Sequence, residues 1–85
     1  MDTEFEQRLQ TMHGSIAALK DSTARRELTV MLNTVLRAHT EVSREAVECR
    51  RLHKPTARYI ELVDKREQLL AELEQYTTFG LLIYG

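Results

Sequence analysis

The stretch LTVMLNTVLRAHTEVSREAVECRRLHKP, residues 28–55, decides the fold. Leu28, Leu32, Val35, Val42, Ala46 and Cys49 follow a four–three spacing, and Met31, Leu36, Ala38 and Val47 widen the stripe. Apolar residues at that spacing share one face of an α-helix. Neither Gly nor Pro interrupts the run before Pro55. The pattern therefore predicts one long helix over residues 22–52, with His39 in its stripe and His53 at its end. Lys54-Pro55 closes it, because the residue before proline avoids the α region and proline has no N–H to donate.

Downstream, Pro55 suits the first turn of a new helix. Tyr59, Ile60, Leu62, Val63, Leu69, Leu70, Leu73 and Tyr76 carry it, and Glu61 precedes Lys65 by four residues in the favourable order. Gly80 reads as its C′ terminator, so the helix is expected over 55–79, with an apolar tail at 80–85. Phe79, Leu81, Leu82, Ile83 and Tyr84 crowd that end, where polar residues are usual. The tail either folds back on the hairpin or packs on a second subunit.

Upstream, Thr3-Glu4-Phe5-Glu6 reads as a capping box. Phe5, Leu9, Met12, Ile16 and Leu19 continue with a heptad-like spacing, predicting a shorter helix over 3–19. Gly14 weakens that helix by about 1 kcal/mol relative to Ala. Asp21 or Ser22 is the N-cap of the long helix. The expected fold is all-α: two long antiparallel helices plus a shorter N-terminal helix in one domain, 1–85.

Composition narrows the function. At 85 residues with 42% hydrophobic and 29% charged residues, the chain is globular but its core is small. Oligomerisation is a common way to complete such a core, and a bundle completed by homodimerisation is expected. The net charge of -1 advertises no nucleic acid. Residues 20–54 carry a net +3 and each flank a net -2, which suits antiparallel packing within or between chains as well as ordinary solvated faces. Cys49 stands alone, so no intrachain disulfide forms. Asp2, Glu4 and Glu6 are unlike a basic signal-peptide start, and no apolar run approaches the roughly 20 residues that span a bilayer. A cytoplasmic protein without membrane contact is the expectation.

Chemistry finds little to work with. Cys49 and His53 are four residues apart on one face, yet a structural zinc site needs four ligands, and His39 lies about 15 Å from them along the helix. No metal site or cofactor is expected. Ser15, Ser22 and Ser43 lack a nucleophile elbow, and no Gly-rich loop is present for phosphate. The small helical chorismate mutases match in size, but their sites need several inward bases, and here Arg66 is the base that interrupts an apolar stripe. Arg25, Arg26, Arg37, Arg44, Arg50 and Arg51 scatter around the long helix among Glu27, Glu41, Glu45 and Glu48, as a solvated face does. The expectation is a non-enzymatic protein-binding module without direct nucleic-acid contact.

Leu36-Arg37-Ala38-His39, running through Val42 to Ala46, resembles the Arg-x-His segment of the TraM-type quorum-sensing antiactivators. Arg58-Tyr59-Ile60-Glu61 is similar to that family's Arg-Tyr-Ile-Glu motif, and Gln68-Leu69-Leu70-Ala71 with the apolar close around Gly80 resembles its C-terminal helix. The resemblance covers roughly residues 28–83. It departs at the short Leu52–Pro55 turn and at the Ile83-Tyr84-Gly85 end, where the family has Ile-Pro. It implies a helical homodimer that binds a LuxR-type transcription activator, TraR, and keeps it from its promoter, so that plasmid conjugal transfer stays repressed. The expected partner-binding residues are Arg37, Tyr59, Leu81, Leu82, Ile83 and Tyr84. Leu28, Leu32, Val35, Val42, Ile60, Val63, Leu70 and Leu73 are expected in the core or dimer contact. Tyr59 also suits a hairpin-core role, Arg37 and His39 suit bundle roles, and the tail suits a dimer seal. A small helical secretion chaperone or assembly factor is the alternative.

Overall fold

The computed structural model describes residues 3–84, of Tyr84 the backbone alone. Three helices make up the described chain: α1 (Thr3–Ala17), α2 (Ser22–Leu52) and α3 (Ala57–Tyr84). Among the described residues there is no strand. At about 1.5 Å per residue, the 31 residues of α2 account for nearly the whole 48 Å long axis.

Asp21 is the N-cap of α2: its extended backbone lets Oδ1 accept from the Thr23 amide at 3.3 Å. Thr29, Thr34 and Thr40 each donate a hydroxyl hydrogen bond to the carbonyl four residues back, which lets these β-branched residues sit in the helix. His53 ends α2 in the left-handed region, φ 50°.

α2 and α3 form an antiparallel hairpin. Leu28 lies at Gly80, His39 at Arg66, and Glu45 faces Arg58 and Leu62 across a shared cleft, so numbers rise on one helix as they fall on the other. α1 lies over one end of it, with Phe5 stacked on His39 and Arg8 paired to Glu67 and Glu74. Phe5, Leu9, Met12, Ile16 and Leu19 close against Leu28, Leu32, Val35, Leu70 and Leu73, forming the core. Burying side chains of this size contributes about 1.5–3 kcal/mol each. That end carries the stability.

Three expectations are corrected. α1 stops at Ala17, and Leu19 reaches the core from the connector, its amide bonded to Ile16 O at 3.1 Å. α3 begins at Ala57 rather than Pro55, because Thr56 O accepts the first helical bond, from Ile60 N at 2.9 Å. Gly80 does not terminate α3. It keeps a negative φ inside the helix, against Leu28, and the expected tail is helix through Tyr84. Ile60, expected in the core or in a dimer contact, is 55% exposed, because it lies where no third helix covers the hairpin. Asp2 and Gly85 lie outside the described residues.

Candidate binding surfaces

The inward line of α3 is Arg66, Leu70, Leu73, Thr77 and Gly80, again at four–three spacing. Past Leu73 it passes to a hydroxyl and a glycine, which leaves the bulky neighbours outside. Tyr76, Phe79 and Ile83 are 58%, 62% and 54% exposed, and Leu82 is 81% exposed. Tyr76, Phe79 and Ile83 form one wall of a cleft of about 300 Å³ whose other wall is Ala24, Glu27, Leu28 and Met31 of α2. Apolar side chains gathered this way mark interaction surfaces more often than single exposed ones do.

The expected contact residues do not form one site. Leu81, Leu82 and Ile83 gather at the end of α3, beside the start of α2. Tyr59 stands half-buried near the turn, lining a separate cleft with Ala46, Cys49, Arg50 and Thr56. About 34 Å of helix separates it from Leu82. Arg37 is exposed on α2 between the two ends. The side chain of Tyr84 lies outside the described residues.

His39 and Arg66, singled out for breaking apolar stripes, meet each other. Arg66 Nη1 donates to His39 Nδ1 at 3.0 Å, and its guanidinium stands 4.1 Å above the Phe5 ring. Arginine only donates, so Nδ1 is the accepting nitrogen in this contact. The other ring nitrogen, Nε2, faces Glu6 Oε1 at 3.9 Å. The cluster joins all three helices. A cation over an aromatic face, shielded from water, is a packing contact as much as a polar one.

The turn carries the charge pairs that spacing alone did not reveal. Lys54 Nζ reaches Glu45 at 2.9 Å and Glu48 at 3.1 Å. Its hydrogen bond holds the Glu45 carboxyl below the usual carboxylate range, against the opposing effect of burial. The two carboxylates raise Lys54 in turn. Burial pushes the Cys49 thiol up, away from the thiolate that redox or metal chemistry uses. At the other end, hydrogen bonds to Glu74 and then Glu67 raise Arg8.

Among the described residues no group of three or more His, Cys, Asp or Glu is placed to hold a metal ion. No described helix is long and apolar enough to cross a membrane. Comparison with family models, curated proteins and solved structures finds no match for the chain.

Proposed function

We propose that this chain is an antiactivator: a homodimeric helical protein that binds a LuxR-type, TraR-like transcription activator, prevents its DNA binding and so represses plasmid conjugal transfer. The observation that carries the reading is the exposed apolar end of α3, where Tyr76, Phe79, Leu82 and Ile83 stand on a firmly packed hairpin. Aromatic and aliphatic anchors on a rigid helix are what a protein-capture surface needs. The choice of captive rests on the resemblance of Leu36–Ala46, Arg58–Glu61 and Gln68–Ala71 to the antiactivator family.

Homodimerisation is supported by the bare half of the hairpin. Val47, Leu52 and Ile60 are exposed there, and Leu62 and Val63 are half-buried, with no third helix over them. Capture is stoichiometric in this reading. The regulator must outnumber the antiactivator before promoters are occupied, which gives a threshold by mass action.

The test is a DNA mobility shift with an autoinducer-bound LuxR-type activator. Adding this chain at equimolar dimer should abolish the shifted band. A band that survives a several-fold excess contradicts the proposal for that activator.

A further inference from the structure

A second apolar groove runs between α1 and α2, on a different face from the α3 end. One lobe, of about 460 Å³, lies between Ile16 and Ala17 of α1 and Arg25, Arg26 and Val30 of α2. A second, of about 200 Å³, continues it toward Leu36, and the two share His13 and Leu32. From Ser22 to Leu36 the groove follows about 21 Å of α2, the length of four helical turns. Val30 and Leu36 are 59% and 41% exposed along it.

Its charge is one-sided. Arg25 and Arg26 line it, and no carboxylate does. Asp21, just before α2, caps the Thr23 amide, Glu27 lines the opposite cleft with Tyr76 and Phe79, and Glu6 of α1 faces His39. Arg25 is fixed in place, since Nη1 donates to Leu19 O at 2.6 Å and leaves its other N–H groups for a partner.

We infer that the α1–α2 groove is a docking site for an acidic amphipathic helix of a partner protein. The apolar floor takes side chains at i, i+3, i+4 and i+7 of such a helix, while Arg25 and Arg26 pair with carboxylates flanking that stripe. A trough open along one side for four turns fits a helix laid into it. A small ligand needs a pocket that encloses most of its surface. The inference does not depend on the captive being a DNA-binding regulator.

The experiment uses the full chain, labelled with ¹⁵N, and two synthetic 16-residue helical peptides. Both carry the same leucine stripe, one flanked by Glu and the other by Lys. The acidic peptide should bind at least tenfold more tightly than the basic one, with amide shifts centred on Ile16, Ala17 and Val30. Arg26→Glu, at an exposed position, should erase most of that preference, and Val30→Asp should weaken the acidic peptide at least fivefold. Circular dichroism melts confirm that both variants fold. Equal affinity for the two peptides overturns the inference, as do shifts confined to Tyr76–Ile83. Groove shifts that follow protein concentration without peptide assign the groove to a second copy, and tighter saturation by dodecanoate assigns it to an acyl chain. Either result also overturns it. The assay contains neither regulator nor DNA, so its failure is separate from failure of the antiactivator reading.

Discussion

The two ends of the α2–α3 hairpin are built differently. At one end α1 completes a three-helix unit, and the whole apolar core cluster lies there, from Phe5 to Leu73. At the other, two helices face each other, and the turn is held by Lys54 between Glu45 and Glu48. Glu45 is buried, but Lys54 is about a third exposed, and ion pairs open to solvent contribute about 0–1 kcal/mol, less than a buried leucine. The same alternation of apolar residues therefore yields a finished core where a third helix is supplied and an uncovered face where it is not. Coverage, more than hydrophobicity, separates the two halves.

The largest expected effect tests that contrast directly. Leu73→Ala, at a fully buried position, should cost about 2–5 kcal/mol in urea melts. Ile60→Ala should cost less than about 1 kcal/mol at concentrations where the chain is monomeric. If Ile60→Ala becomes costly only at high concentration, the bare half is a subunit contact. If it is costly at every concentration, the contrast between the halves is wrong.

A smaller effect is expected at Thr77. Its hydroxyl is buried without a hydrogen-bond partner among the described residues, so Thr77→Val should stabilise by about 1 kcal/mol. Arg8→Ala removes both pairs between α1 and α3 and should cost about 1 kcal/mol or less, the side chain being partly exposed. Hydrogen exchange should rise in α1 and stay unchanged in the turn. Gly14→Ala adds a methyl into open space and should stabilise α1 by about 0.5–1 kcal/mol, seen as slower exchange in the same helix.

The smallest effect concerns pH. The carboxyl of Glu45 is lowered from 4.5, so its pairing with Lys54 contributes fully above that value and is lost as the pH falls through the lowered one. Exchange protection around 45–58 should drop in that acid window before protection in the three-helix half does. Simultaneous loss would mean that the turn pairs do not hold the bare half.

Much of this was legible in the residues. The four–three stripe of α2 and its stop before Pro55 are local signals, and so is its N-cap, which falls on Asp21, one of the two candidates with Ser22. Of the residues that widen the stripe, Leu36 and Val47 are exposed. The end of α3 was not legible from glycine alone. Gly80 as a terminator presumes a left-handed conformation, whereas packing against Leu28 makes a small helical residue useful there. Extending the spacing Arg66–Leu70–Leu73 by one heptad lands on Thr77 and Gly80, which turns Tyr76 and Phe79 outward. That signal lies in the pattern, carried by a hydroxyl and a glycine that do not read as an apolar stripe. The bonds of Arg66 with His39 and of Arg8 with Glu74 depend on which helices meet, and that of Lys54 with Glu45 on how the chain turns after His53, which no single-helix periodicity carries. Tyr59 and the α3 end, by contrast, lie on one helix, and the 23 positions from Tyr59 to Leu82 already set them at opposite ends of the hairpin.

Under the proposed function, the exposed end of α3 captures a regulator. Isothermal titration of an autoinducer-bound LuxR-type activator with this chain and with its Phe79→Glu/Leu82→Glu variant tests it most directly, since both positions are solvent-exposed and the core is untouched. The unaltered chain should bind stoichiometrically, and the variant should bind at least a hundredfold more weakly with an unchanged melting curve. Equal binding by both would contradict it.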